Sequence, residues 1–121
     1  MIGYVTLGTN DLTRGAAFYD ALLGEMGAKR GWQTERYIAW NFSNGSMLCI
    51  ITPYDLQPAT VGNGMMVSLA AGSRAEVDAV YARAMALGAK DEGAAGPRGD
   101  SFYAGYFRDL DGNKLAVYHA G

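Results

Sequence analysis

An internal duplication constrains the fold of this chain more than any other sequence feature. The pattern of Tyr4–Leu7 returns at Met66–Leu69, 62 residues later, and that of Gly45–Ile50 returns at Gly112–Val117, 67 residues later. A chain that repeats its own pattern folds as repeated structural units. We therefore predict one domain, residues 1–121, made of two like modules that span residues 1–58 and 62–121.

Each copy carries the signals of one helix between extended segments. Asp11 can cap the first helix, and Gly27 ends it. Ser73, with Glu76 three residues later, has the capping-box pattern of a helix that ends at Gly88. The β-branched and aromatic runs predict strands. These extended segments are Ile2–Gly8, Gln33–Phe42, Met47–Thr52, Phe102–Arg108 and Lys114–His119.

The predicted order in each module is a strand, a helix and then two or three strands. The segment Asp109–Asn113 contains an Asp-Gly pair and predicts a tight hairpin turn before the last strand. A β-α-β-β-β unit forms half a cup, and two units complete it. The predicted fold class is α+β, with a cup-shaped mixed sheet, the helices outside, and a concave face that suits a ligand.

Composition excludes several classes of function. The net charge is −2 and the basic residues are scattered, which is not the pattern of a protein that binds nucleic acid or an anionic membrane. No apolar run approaches the roughly 18 residues of a membrane span, and no signal peptide is recognisable. The single cysteine, Cys49, rules out an internal disulfide framework. These features predict a cytoplasmic protein.

Several motifs together resemble one protein family. The strand Tyr4–Leu7, the helical pair Phe18 and Tyr19, and the terminal segment Asp109–Leu115 are similar in order and spacing to the glyoxalase / bleomycin-resistance / extradiol-dioxygenase superfamily, also called vicinal oxygen chelate proteins. The resemblance covers essentially the whole chain. It implies a small-molecule partner and a homodimer, in which some members exchange modules between subunits.

The resemblance also implies four positions for metal ligands, one on the first and one on the last strand of each module. In metal-dependent members these positions hold His, Gln or Glu. Here they are occupied by Tyr4, Cys49, Met66 and Ala116. A divalent ion would find too few ligands in this set. We therefore predict no metal and no cofactor.

Seven residues are predicted to line the cup. Tyr4 and Cys49 are also the candidate catalytic groups, although a small buried cysteine is the ordinary alternative. Arg98 belongs to the Gly-rich segment Gly93–Asp100, which is predicted to be a loop that closes over a ligand or is merely mobile. The lone histidine, His119, is predicted to point away from the cup. The ligand-binding candidates are Tyr4, Trp40, Cys49, Met66, Arg98, Tyr103 and Ala116.

These features favour a protein that binds a small, partly aromatic or apolar organic molecule without metal chemistry. The resemblance points to the bleomycin-resistance branch, whose members sequester a drug. The alternative is an enzyme, either a glyoxalase-like lyase or isomerase or a metal-independent catalyst that uses Tyr4, Cys49 or Arg98. A third possibility is an oligomerising module with no ligand. Membership of a family does not by itself decide among these functions.

Overall fold

A computed structural model describes all residues, 1–121. Both halves of the chain have the order β-α-β-β-β, which confirms the two modules and the α+β fold class. Neither helix has the length and apolarity needed to cross a membrane. The elements are β1 Tyr4–Gly8, α1 Leu12–Gly24, β2 Lys29–Gln33, β3 Tyr37–Asn41, β4 Met47–Ile51, β5 Val67–Ala70, α2 Arg74–Ala86, β6 Lys90–Pro97, β7 Phe102–Arg108 and β8 Lys114–Ala120.

The eight strands form two four-stranded sheets with the same internal topology. The strand orders are β1-β4-β3-β2 and β5-β8-β7-β6. In each sheet the first strand of the module lies at one edge and pairs in parallel with the last strand of the same module. The other pairs are antiparallel, so each sheet is mixed. The two helices contact each other, whereas no Cα atom in the strands of one sheet lies within 8 Å of a strand Cα atom in the other. Within one chain the expected cup-shaped sheet is therefore two separate half-sheets.

The helices begin where the sequence predicts. The Asp11 carboxylate accepts a hydrogen bond from the Arg14 amide (3.0 Å), and the Ser73 hydroxyl accepts one from the Glu76 amide (3.1 Å). The capping box is shifted by one residue, because the Glu76 carboxylate accepts from the amide of Gly72 rather than from that of Ser73 (3.3 Å). These bonds satisfy amide groups that a helix N-terminus leaves without intrahelical partners.

Strand alternation sends one set of side chains toward the helices and into a single core. The register places Trp40, Leu48 and Val5 on one face of the first sheet, and Trp40 is only 1% exposed. Its indole Nε1 donates to Asp20 of α1 (3.0 Å). The prediction that Trp40 lines the cup is therefore wrong, because its position on β3 points toward the helix.

Tyr103 is a second residue that faces the helices rather than the cup. Its hydroxyl donates to Asp78 of α2 (2.6 Å), and the guanidinium of Arg74 lies 5.2 Å from its ring centroid. Its neighbour in the register is His119, whose Nδ1 lies 3.0 Å from the Ala71 carbonyl oxygen. His119 thus points away from Ala116, as predicted, and the expected open-face position of Tyr103 is wrong.

The segment Gly93–Asp100 is not an irregular loop. Strand β6 runs through Gly93 and Gly96 to Pro97 and pairs with β7. The pairing shifts register on both sides of Gly93, which has a φ of +153°. A Gly-Ala run lacks the alternating apolar pattern of a strand, so backbone pairing with β7 decides its conformation here.

Candidate functional site

The face of the first sheet opposite the helices has a floor of small side chains. The register aligns Thr6 of β1, Cys49 of β4 and Ala39 of β3 in one row across three strands. Residues paired in this way project to the same face of a sheet. Because Cys49 and Ala39 are small, this row leaves space above the sheet.

Aromatic side chains surround that space and make a cavity of about 260 Å³. Tyr4 projects from β1, Trp32 from β2, and Tyr37 from the start of β3. Tyr4 and Trp32 are 58% and 62% exposed, so the cavity opens to solvent. No lining side chain is acidic or basic. The lining residues are Tyr4, Thr6, Trp32, Tyr37, Cys49 and Ile51.

Sequence reasoning missed Trp32 and Tyr37 as site residues. Arg30 and Gln33 on the same strand turn toward α1, with the Arg30 guanidinium held by Asp20 and by the Gln33 side chain (3.2 Å). A register shift between Arg30 and Gln33 places Trp32 on the other face. In the sequence, only the alternation of Arg30, Gly31 and Trp32 could have indicated which face of the sheet Trp32 occupies. A bulge disturbs strict alternation, so this pattern did not give the correct face.

The polar groups of the cavity walls are free for a ligand. The hydroxyls of Tyr4 and Tyr37 donate to no carboxylate. Three other tyrosines donate to an aspartate: Tyr19, Tyr81 and Tyr103. A phenol and an indole each combine an apolar ring with a hydrogen-bonding tip. The walls can therefore hold a ring by its faces and hydrogen-bond to its substituents.

The cavity offers little for nucleophilic catalysis. Burial raises the pKa of the Cys49 thiol, and no basic side chain lines the cavity to counter that effect. The thiolate is the nucleophilic form of cysteine. Cys49 is therefore a protonated, weakly nucleophilic group at neutral pH.

The structure divides the other predicted site residues between two places. Met66 shares a groove of about 320 Å³ with Tyr4, between β1 and the start of β5. Ala116 is paired with Tyr106 on the open face of the second sheet, and it is 2% exposed. Tyr4, Cys49 and Met66 are thus linked by two adjoining spaces, whereas Ala116 lines neither of them.

Arg98 lies on the second sheet near Tyr106. Its guanidinium lies 5.5 Å from the ring centroid of Tyr106. The same guanidinium donates to three carbonyl oxygens of its own segment, those of Ala94 (2.7 Å), Gly96 (3.0 Å) and Pro97 (3.3 Å). These bonds tie the end of β6 together, so most of the hydrogen-bonding capacity of Arg98 is already used.

The donors present do not fit a divalent metal. Of the four positions implied by the resemblance, Met66 and Ala116 offer no oxygen or nitrogen ligand in their side chains, and Cys49 carries a thiol whose pKa is raised. No group of three or more His, Cys, Asp or Glu side chains is arranged to hold a metal ion. Zn²⁺ normally takes three or four such protein ligands.

Solved structures with the same architecture include one closely similar protein. A glyoxalase/bleomycin resistance protein from Albidiferax ferrireducens T118 has 38% sequence identity and a TM-score of 0.93, and the match covers 100% of this chain and 99% of that chain. A glyoxalase/bleomycin resistance protein/dioxygenase family enzyme from Burkholderia phytofirmans PsJN shares the fold at 18% identity, with a TM-score of 0.80 and 98% coverage of each chain. A lactoylglutathione lyase from Agrobacterium tumefaciens shares it at 24% identity, with a TM-score of 0.74 and coverage of 98% and 92%.

Family membership follows from the whole sequence. No curated protein matches the chain. The model of the Glyoxalase/Bleomycin resistance protein/Dioxygenase superfamily matches residues 1–117, which is nearly the full length. The chain therefore belongs to the Glyoxalase/Bleomycin resistance protein/Dioxygenase superfamily.

Proposed function

We propose that this protein binds a small, partly aromatic organic molecule in the cavity of the first sheet, without a bound metal. The observation that carries the proposal is the uncharged aromatic cavity over Cys49, walled by Tyr4, Trp32 and Tyr37. Apolar and aromatic walls with a few polar tips are typical of small-molecule sites. The weak nucleophilicity of Cys49 supports binding rather than chemistry, and the family includes bleomycin-resistance proteins beside its enzymes.

We further propose that the protein acts as a cytoplasmic homodimer. An exposed apolar strip runs along β1 and the approach to β5, with Ile2 75%, Met65 63% and Met66 44% exposed. Large exposed apolar side chains in one region are typical of interaction surfaces. A second copy would cover this strip and bring the open face of its second sheet, with Ala116, over the cavity.

Tryptophan fluorescence tests the binding site directly. The chain has two tryptophans, and of these only Trp32 lines the cavity while Trp40 is buried in the core. Titration with 4-nitrobenzyl alcohol, a non-fluorescent aromatic quencher, should lower the emission of Trp32 in a saturable way. Trp32→Phe should abolish the change, whereas Tyr54→Phe, at an 89% exposed tyrosine outside the cavity, should not.

Two further variants separate the parts of the proposal. Tyr4→Phe should weaken binding of 4-nitrobenzyl alcohol by about 0.5–1.5 kcal/mol, the value of one hydrogen bond. Ala116→Phe should weaken binding only if the second sheet of a partner closes over the cavity. If Trp32 emission does not respond to any aromatic probe, the proposed site is wrong. If the parent protein converts a probe chemically and Tyr4→Phe abolishes that conversion, the result would instead favour the enzyme alternative.

The dimer has its own test. Native mass spectrometry and sedimentation at micromolar concentration should show two copies. Met66→Glu should shift the protein to a monomer because it places a charge in the apolar strip, whereas Tyr54→Glu should leave the dimer intact. A parent protein that sediments as a monomer would contradict the dimer and leave the cavity proposal in place.

A further inference from the structure

The two hairpin turns that precede the last strand of each module have the same backbone geometry. In the first module the Phe42 amide donates to the Ser46 carbonyl (3.0 Å), and in the second the Asp109 amide donates to the Asn113 carbonyl (2.9 Å). Gly45 and the equivalent Gly112 have φ values of +92° and +89°. The turns therefore correspond residue by residue, 67 positions apart.

The second of these turns closes tightly against the first module. Asp111 accepts hydrogen bonds from the Thr9 hydroxyl (2.6 Å) and from the Asn10 amide (2.9 Å). The Asn113 side chain donates to the Gly8 carbonyl (2.9 Å). Arg14 of α1 completes the junction, because its guanidinium contacts the Asp111 carboxylate (3.3 Å) and the carbonyl oxygen of the preceding residue (3.3 Å). Carboxylate and guanidinium thus fill this junction.

The first turn makes no such closure, and a groove of about 490 Å³ remains at the corresponding junction. Asn44, which corresponds to Asp111, accepts instead from the amide (3.0 Å) and the hydroxyl (2.7 Å) of Ser46. Ser46 corresponds to Asn113 and has a shorter side chain. The groove is lined by Met26, Phe42, Ser43, Asn44, Ser46, Ser68, Leu69, Ala70, Gly72 and Glu76.

The junction beside the first turn, called here the open junction, carries the opposite charge to the closed junction beside the second turn. Glu76 lies 62 residues after Arg14 and therefore occupies its position on the duplicated helix. One oxygen of the Glu76 carboxylate accepts from the Gly72 amide, and the second has no bond of its own. Where the closed junction has a guanidinium and a carboxylate, the open junction has a carboxylate and no cation. Met26 and Phe42 add an apolar wall beside it.

We propose that this groove is a second binding site, separate from the aromatic cavity, for an organic cation. An ammonium or guanidinium group pairs with the free oxygen of Glu76, and the hydrocarbon part of the ligand lies against Met26 and Phe42. Asn44 and Ser43 supply further polar contacts. Charge-assisted hydrogen bonds to a carboxylate are stronger than neutral ones, which gives the site its preference for a cation.

Benzylamine and phenylguanidine are suitable probes, with benzyl alcohol as the uncharged control. We expect backbone amide shifts of residues 42–46 and 68–76 on titration with either cation, and weaker binding of the alcohol. Glu76→Gln should weaken binding of the cations by about two- to fivefold, since it keeps the shape and removes the charge. Glu35→Gln, at an exposed glutamate outside the groove, is the matched control. Equal binding of benzyl alcohol, or an unchanged affinity in Glu76→Gln, would overturn the proposal.

A second variant tests whether an internal ion pair in the groove prevents binding of the cation. The pair Asn44→Asp and Glu76→Arg recreates at the open junction the residues of the closed one, Asp111 and Arg14. This double variant should lose binding of benzylamine and keep the response of Trp32 to 4-nitrobenzyl alcohol in the aromatic cavity. Retention of benzylamine binding would place the cation elsewhere and contradict the proposal.

Discussion

The hydroxyl of Tyr19 on α1 donates to the carboxylate of Asp109 in the last hairpin (2.6 Å), and the two residues lie in different modules. Both are buried, at 1% and 6% exposure. The same carboxylate accepts from the Asn113 side chain (3.0 Å) and from two backbone amides. A buried carboxylate is tolerated only when its oxygens have partners. The hydrogen bond between Tyr19 and Asp109 therefore couples the formation of the two modules.

Removal of that hydroxyl should destabilise the whole chain. Tyr19→Phe leaves one oxygen of the buried Asp109 carboxylate with one partner fewer, and we expect the free energy of unfolding to fall by about 1–3 kcal/mol. Urea denaturation at pH 7 measures the change. Tyr81→Phe is the matched control, because Tyr81 occupies the same position in the second module but its hydroxyl bonds to Asp91 at the surface. Equal effects of both substitutions would contradict the importance of burial.

Stability should decline at alkaline pH. Burial, and then the Asp109 carboxylate, raise the pKa of Tyr19 well above its usual value. The folded state therefore favours the protonated phenol. This contribution is complete below the unfolded pKa of about 10 and is lost as the pH rises toward the raised folded pKa. Hydrogen bonds to Asp91 and Asp78 raise the pKa of Tyr81 and Tyr103 in the same direction.

Urea denaturation at pH 8 and at two values above 10 tests this dependence. The parent should lose stability across the range, and Tyr19→Phe should lose less because one of the contributing phenols is absent. Absorbance at 295 nm reports the titration of the tyrosines independently. A parallel loss in both proteins would show that Tyr19 is not a source of the dependence.

Two glycines of α1 should respond oppositely to alanine. A Cβ atom at Gly15 would lie 2.9 Å from Ile50 Cδ1 and 3.2 Å from the Thr9 hydroxyl oxygen, whereas one at Gly24 would meet nothing within 4 Å. Gly24→Ala should stabilise by up to about 1 kcal/mol through helix propensity. Gly15→Ala should destabilise by about 1–3 kcal/mol, because the core must move. Thermal denaturation of the two variants compares them, and a stabilising Gly15→Ala would show that the core adapts freely.

Divalent metals should not stabilise the protein. Specific binding at a hundred times the dissociation constant would add about 2.7 kcal/mol to the free energy of unfolding, which a thermal melt detects. Because Tyr4, Cys49, Met66 and Ala116 are poor ligands, we expect little change with Zn²⁺, Ni²⁺ or Mn²⁺ and no stoichiometric metal in the purified protein. A reproducible stabilisation of that size, lost in Cys49→Ser, would mean that the chain binds metal through an unexpected ligand set.

Local sequence signals predicted most of the elements. Strand β7 has the predicted bounds, Phe102–Arg108, and Ser73 caps α2 as its pattern indicates. These signals act over a few residues, because a cap bonds the next turn and a strand alternates within itself. Two strands were missed. The predicted segment Gln33–Phe42 contains β3 but only the last residue of β2. Strand β6 was missed because its Gly and Ala residues carry no apolar pattern, and its conformation depends on pairing with β7.

The candidate site was predicted only in part. Tyr4 and Cys49 share a cavity, and Met66 borders the adjoining groove. Trp40 and Tyr103 were assigned to the wrong face. Alternation divides a strand into two sets of side chains, but the position of the packed helix decides which set is buried. Trp32 reaches the cavity because of a register shift that no repeat in the sequence indicates.

The sequence by itself determined the duplication, the order of elements and the caps, since these depend on residues near one another along the chain. Only the tertiary structure decided how the two copies differ. Asp111 reaches Thr9 across 102 residues, while its counterpart Asn44 bonds to its own turn and leaves a groove open. Equivalent backbones carry side chains of different length and charge at Ser46 and Glu76. Whether each junction closes therefore depends on contacts between modules, which neither copy specifies alone.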